Sequence, residues 1–228
     1  MIVENVENIR RRIACACDKA GRTPGDITLV AVAKTFSAEM VQQVLDVGIY
    51  DIGENFVQEL REKRENLGNN PIRWHFIGHL QTNKVKYLAE WIHLIHSVDS
   101  VDIGREISKR AERSGRTVDI LLEVNTTGEK SKFGLAPAVV AMRVKELMQF
   151  PNLNVAGLMT IGPFLPDPEE SRPAFRTLRT LRDNMKNEGV HLPHLSMGMT
   201  NDFEVAIEEG ATLVRIGTAI FGKRIKAN

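Results

Sequence analysis

Ile27-Thr28-Leu29-Val30-Ala31-Val32-Ala33-Lys34 follows the turn Thr23-Pro24-Gly25-Asp26 and ends in a charged residue. A β-branched and apolar run without polar alternation reads as a short strand buried on both faces, as in a parallel sheet covered on each side. Upstream, Val3, Val6, Ile9, Ile13 and Cys17 recur at three- and four-residue steps, the inner face of a helix that Gly21 stops. Downstream, Ser37 is placed to cap a helix that turns Met40, Val41, Val44 and Leu45 inward and ends at Gly48.

The same alternation continues to the end of the chain. Segments 50–53, 73–77, 94–98, 118–124, 153–159, 194–196 and 213–216 read as further strands. Helices are expected over 56–67, 83–90, 101–114 and 202–209. Another starts at Pro137 and buries Val140, Val144, Leu147 and Met148. A long one puts Phe175, Leu178, Leu181 and Met185 on one face. Its arginines, Arg172, Arg176, Arg179 and Arg182, read as the solvated side. Eight β/α units therefore fit, preceded by one extra helix. The 228 residues give about 28 per unit, near the βαβ scale. An open doubly wound sheet is the alternative, but neither GxGxxG nor GxxxxGK[ST] occurs. The expectation is an α/β chain folded as a (β/α)8 TIM barrel, one domain over residues 1–228.

Composition narrows the function classes. Apolar residues make up 43% and charged residues 26%, which excludes a disordered chain. A formal charge of +1 gives no reason to expect nucleic acid or an anionic membrane as partner. Cys15 and Cys17 lie on different sides of the first helix and read as free thiols of a reducing compartment. The N-terminus carries no secretory pattern and no apolar run approaches spanning length. A soluble cytoplasmic protein is expected.

In such a barrel, reactive groups sit at the C-terminal ends of strands. Lys34 ends the first. A buried lysine there has a lowered pKa and attacks aldehydes, whereas one that snorkels to solvent does not. The turns after the last two strands, Ser196-Met197-Gly198-Met199-Thr200 and Gly217-Thr218, offer backbone N–H groups and hydroxyls where barrels often hold phosphate. Arg215, between Val214 and Ile216, needs a carboxylate, carbonyls or a ligand. Pyridoxal phosphate unites the three demands: an aldehyde for Lys34, a phosphate for the loops and a ring nitrogen for Arg215. The pairs His75/His79, His93/His96 and His191/His194 fall on strands or turns, and no metal site is expected. Glu54-Asn55 ends a strand and either touches a ligand or caps a helix. The basic loop Lys130-Ser131-Lys132 either collects an anion or is solvated.

The motifs also carry a family resemblance. Ala31-Val32-Ala33-Lys34-Thr35, Gly53-Glu54-Asn55-Phe56-Val57-Gln58-Glu59 and Trp74-His75-Phe76-Ile77-Gly78-His79-Leu80-Gln81-Thr82-Asn83-Lys84 belong to it. So do Ser131-Lys132-Phe133-Gly134, Gly157-Leu158-Met159-Thr160, Leu195-Ser196-Met197-Gly198-Met199-Thr200-Asn201-Asp202 and the segment from Val214 to Gly222. Over essentially its whole length the chain resembles the pyridoxal 5′-phosphate homeostasis proteins, relatives of the alanine racemase N-terminal barrel. The resemblance implies a Schiff base on Lys34 and Arg215 beside the pyridine nitrogen. It implies a phosphate cradle of Ser196, Gly217 and Thr218 with Gly198 and Met199 close by, and Asn55 near the ring. For Lys132 it implies a part in cofactor exchange or secondary binding. Ala33 and Thr200 depart from the commonest pattern, which has Ser at each.

A carrier and an enzyme both fit a lysine-bound cofactor. A racemase of the related fold needs an opposing tyrosine from an added β-domain. Thirteen residues follow Arg215, and Tyr50 and Tyr87 lie at no strand C-terminal end. A Schiff-base aldolase would leave Arg215 and the two loops without a role. The expectation is a monomeric, non-catalytic carrier of pyridoxal phosphate that serves apo-enzymes, with other B6 vitamers as candidate ligands; an amino-acid racemase is the alternative.

Overall fold

Eight parallel strands close on themselves in chain order: β1 (Thr28–Val32), β2 (Asp51–Glu54), β3 (Arg73–Phe76), β4 (Leu94–Val98), β5 (Val118–Glu123), β6 (Leu153–Met159), β7 (His194–Ser196) and β8 (Leu213–Ile216). The computed structural model describes residues 1–129 and 131–222; Lys130 of the basic loop lies outside the described residues. Closure is made by β1 against β8, with Val30 opposite Arg215 and Ala31 opposite Ile216. The first strand therefore delivers Lys34 beside the strand that carries the arginine.

Helices α1 (Ile2–Ala20), α2 (Ala38–Asp46), α3 (Val57–Leu67), α4 (Val101–Arg113), α5 (Val140–Leu147), α6 (Arg172–Asn187), α7 (Phe203–Glu208) and α8 (Thr218–Phe221) ring the barrel. Their apolar faces and the outward faces of the strands make the main core, which includes Phe76, Ile95, Phe175 and Phe203. None of the described helices is long and apolar enough to cross a membrane. The extra helix α1 packs on α7 and α8. Asn5 Nδ2 donates to Ile220 O at 2.9 Å, and Arg12 pairs with Glu204 at 2.6 Å.

Four details differ from the sequence reading, and one is Met148, expected inward at the end of α5 but exposed. The inner face of α1 is Ile2, Val6, Ile9, Ile13 and Cys17, and Val3 is exposed. Steps of four, three and four starting at Ile2 hold one face, and Val3 is rotated about 100° away from it. Between β3 and β4 a 3₁₀ helix (Thr82–Tyr87) replaces the α-helix expected over 83–90. Its buried Val85 and the buried Leu88 just beyond are three apart, the spacing that eclipses on a 3₁₀ turn. The arginines of α6 keep partial exposure but are also ion-paired. Arg172, Arg176 and Arg179 converge on the buried carboxylate of Glu209 at 3.2, 3.0 and 3.0 Å. They tie α6 to the end of α7.

The barrel interior is divided. Val30, Leu94, Leu121, Ala156, Met159 and Leu213 form a small apolar cluster. Beside it the inward positions of β2, β3, β4, β7 and β8 carry Asp51, His75, His96, Ser196 and Arg215, all buried. Such a polar interior holds only when every group is paired.

Gly157 lets β6 and β7 approach. A Cβ there would lie 2.0 Å from the His194 carbonyl oxygen. Backbone on both sides leaves no side chain to yield, so Gly157→Ala is expected to cost about 1–3 kcal/mol or more by overpacking. Urea unfolding of this variant beside Gly25→Ala, where φ is not left-handed and the nearest atom to a Cβ is Thr23 Oγ1 at 3.9 Å, measures the difference.

Candidate functional site

A cavity of about 510 Å3 opens at the C-terminal ends of the strands. Lys34, Asn55, Met199, Arg215, Gly217 and Thr218 line it, as do Thr200, Asn201 and Asp202. One wall is Phe36, stacked on Phe221 with centroids 4.8 Å apart. The opposite wall is Pro163-Phe164-Leu165-Pro166 from the loop after β6.

Ser196, expected in the cradle, and Gly198, expected close by it, do not line the cavity. Ser196 is fully buried in the barrel and is not part of the lining. Its Oγ accepts from Arg215 NH1 at 2.5 Å and meets His96 Nδ1 at 2.8 Å. It belongs to the arginine. Gly198 is also outside the lining and serves close packing: with φ +91°, a Cβ there would lie 2.5 Å from Ala206 Cβ and 2.9 Å from Phe203 Cα. The hydroxyl that reaches the cavity from this loop is that of Thr200, 3.3 Å from Thr218 Oγ1. The loop is braced by Asp202, whose carboxylate accepts from Met199 N at 2.6 Å and Ser171 Oγ at 3.0 Å.

Lys34 is half-buried at the mouth. The chain turns sharply after it, with Thr35 at φ +69°, a left-handed conformation that threonine rarely adopts. Glu59 of α3 holds the turn by accepting from Thr35 N at 2.8 Å. Behind it Lys63 is buried. Its Nζ pairs with Glu54, donates to Ala33 O at 2.7 Å and lies 3.2 Å from Glu59. Glu54 therefore braces the lysine-bearing strand end and caps no helix. Burial outweighs the Lys63 partner and pushes Glu54 up to about 7. Asn55 Oδ1 is buried with no hydrogen-bond partner among the described residues, an acceptor held at the cavity edge.

Arg215 lies in the cavity floor. NH2 donates to Thr160 O at 2.9 Å, and NH1 is held by Ser196. Burial lowers its pKa to about 10, so it stays a cation at neutral pH. The histidines meet across strands, not within the spaced pairs of the sequence. His75 Nδ1 is 2.9 Å from His96 Nε2, and His75 Nε2 is 3.0 Å from Asp51. Asp51, His75 and His93 bring possible metal-ligand atoms within 4.8 Å of one another. Both Asp51 oxygens, however, are engaged by Arg73, at 2.7 and 2.5 Å, with His75 on one of them. Lys132 pairs with Glu129 at 2.6 Å and donates to Gly162 O at 3.1 Å, so it ties down the loop that carries the Phe164 wall.

Sequence reasoning missed the cavity role of Thr200 and the interior role of Asp51, His75 and His96. A signal for the histidines was present. Each sits in an apolar strand, two residues from other inward positions.

The donor set suits one kind of ligand. A strand-end amine, a buried cation and a pair of hydroxyls surround one cavity, with an unpartnered acceptor at its edge. These match a planar aromatic aldehyde with a ring nitrogen and an anionic substituent. Fold and site together define a barrel of the alanine racemase N-terminal type. The sequence model of the family described as alanine racemase, N-terminal domain, matches residues 5–224. A pyridoxal phosphate homeostasis protein of Aquifex aeolicus is 48% identical over 97% of each chain. One of Pseudomonas aeruginosa is 40% identical over 98% of this chain and 96% of its own. The structure of PipY of Synechococcus elongatus with PLP bound superposes with a TM-score of 0.85 at 30% identity, covering 97% of this chain and all of that one. The chain belongs to the pyridoxal phosphate homeostasis protein family within that domain class.

Glu123, at the end of β5, yields a pH prediction. Burial and the nearby Asp99 push its carboxyl up to about 7, against an opposing pull from Arg215. The folded state thus holds a proton that the unfolded chain releases above about 4.5. This contribution is full below the unfolded pKa and is lost as pH rises through about 7. It amounts to at most about 3 kcal/mol, since one pKa unit is worth about 1.4 kcal/mol. Glu123→Gln is expected to flatten the fall in stability between about pH 5 and pH 8 in urea titrations.

Proposed function

We propose that the chain binds pyridoxal 5′-phosphate on Lys34 as a Schiff base and serves cytoplasmic vitamin B6 homeostasis by buffering or delivery, without catalysis of its own. The observation that carries this is the meeting of Lys34 and Arg215 in one cavity across the β1–β8 closure, with the Thr200 and Thr218 hydroxyls beside them. When bound, the cofactor supplies a carbonyl carbon that condenses with an amine, water leaving as the imine forms. Lys34 provides that amine. Thr200, Thr218 and the Gly217 turn face the phosphate, a cradle in which Thr200 takes the place expected of Ser196. Arg215 faces the ring nitrogen and, as a permanent cation, keeps it unprotonated. The ring is then a weak electron sink, which suits storage over turnover.

The lining supports a carrier. Among the described residues it contains no tyrosine or histidine to oppose Lys34. Its one carboxylate, Asp202, is engaged by Met199 N and Ser171 Oγ. The Phe164 wall is exposed, so the cavity can open toward a recipient apo-enzyme.

Purified protein mixed with pyridoxal phosphate is expected to turn yellow. Borohydride reduction followed by peptide mapping should place the adduct on Lys34, and Lys34→Ala should lose both. Thr200→Ala with Thr218→Val is expected to weaken pyridoxal phosphate binding about tenfold or more while leaving pyridoxal little affected, as for lost hydrogen bonds to a charged group. An adduct on another lysine, or steady racemisation of an amino acid that Lys34→Ala abolishes, would overturn the carrier reading.

A further inference from the structure

Arg215 is a cation sealed inside a barrel, and its nearest side-chain partner, Ser196, is neutral. Asp202 and Glu123 are the carboxylates that act on it through space, while a hydrogen-bonded file through Ser196, His96 and His75 leads from it to a third, Asp51. We propose that Asp51, His75, His96 and Ser196 form a positioning chain that holds the Arg215 guanidinium in place and directs its free N–H groups to the cofactor ring. The ring-directed part rests on the functional reading above.

The ends of the chain dictate the protons between them. Asp51 is ionised: burial alone would raise its pKa, but hydrogen bonds from Arg73 and His75 hold it down at about 2. It can only accept. A guanidinium can only donate. His75 Nε2 must therefore carry a hydrogen toward Asp51, 3.0 Å away. Burial disfavours the charged form of both imidazoles, so each has one proton. The bare His75 Nδ1 accepts from His96 Nε2–H at 2.9 Å. The bare His96 Nδ1 accepts the Ser196 hydroxyl at 2.8 Å. With that proton drawn away, a Ser196 lone pair is left for Arg215 NH1. Every link donates toward Asp51, and no proton lacks an acceptor.

The charged surroundings agree with neutral imidazoles. His93 and His194 face the two rings, and Arg73 lies across Asp51. Arg73 disfavours an added positive charge on His75, and Arg215 disfavours one on His96. Asp202 and Glu123 act on the guanidinium end. The geometry at Arg215 shows what the chain achieves. A planar guanidinium held at NH1 by Ser196 and at NH2 by Thr160 O has its plane fixed, and the residue lines the cavity. Without His96 the Ser196 hydroxyl is free to rotate, and one of the two fixed points loosens. Asp51, His75 and His96 are thus positioning residues that act through Arg215 without touching the cavity.

The test has two arms. In cofactor-free wild-type protein, ¹⁵N–¹H correlation of imidazole nitrogens should show His75 and His96 as neutral Nε2–H tautomers. In protein loaded with pyridoxal phosphate, His96→Leu should weaken binding about tenfold and shift the visible band. His96→Gln, which keeps a donor and an acceptor, should restore most of both. Asp51→Asn, remote from the cavity, should shift the band in the same sense as His96→Leu. An Nδ1–H tautomer or ordinary titration at either histidine overturns the chain, as does a folded His96→Leu protein with unchanged affinity and spectrum. Failure of wild-type protein to take up pyridoxal phosphate overturns the functional reading instead, and the imidazole arm still decides the proton order.

Discussion

A guanidinium enclosed by parallel strands must find hydrogen-bond acceptors there or it destabilises the fold. That requirement organises the interior of this barrel. Small aliphatic side chains fill one part, and a file of polar groups from β2, β3, β4, β7 and β8 fills the other. The file begins at an Asp51–Arg73 pair near the strand beginnings and ends at Arg215 in the cavity floor. Each strand contributes one member at an inward position, so strand order and register together assemble it. A slip of one residue in any of these strands would turn its polar group into the helix layer.

The lysine end follows the same logic. A backbone strained at Thr35 persists only if the surroundings fix it, and here Glu59, Lys63 and Glu54 supply the bonds. These three side chains come from β2 and α3, not from the strand they brace. The amine and the guanidinium are then brought together by one pairing, β1 on β8, which joins the beginning and end of the chain. The cavity is thus a product of barrel closure, with loops as walls: the Phe164 segment on one side, tied down through Lys132, and the stacked Phe36 and Phe221 on the other.

Much of this was legible before folding. Short apolar runs alternating with helical faces indicated eight units, because strand and helix periods differ and turns separate them. The ends of those runs marked Lys34, Asn55, Arg215 and the Gly217 turn, since barrel topology exposes strand ends at one mouth. The reading faltered where orientation mattered. Ser196 and Thr200 are two hydroxyls in one turn, and only the register of β7 shows that the first points into the barrel and the second into the cavity. The α6 arginines had a solvated spacing, yet Glu209, more than twenty-five residues downstream of each, folds back to collect them.

The sequence by itself determined the architecture, the strand-end amine and the need for a partner to a buried arginine, because periodicity and residue chemistry are local. Tertiary structure alone decided which groups meet: histidines from neighbouring strands in one file, a serine turned to the arginine, a threonine turned to the cavity. These are matters of distance and direction between segments remote in the chain. Hydrogen bonding is short-ranged and directional, so such partners exist only once the barrel has closed.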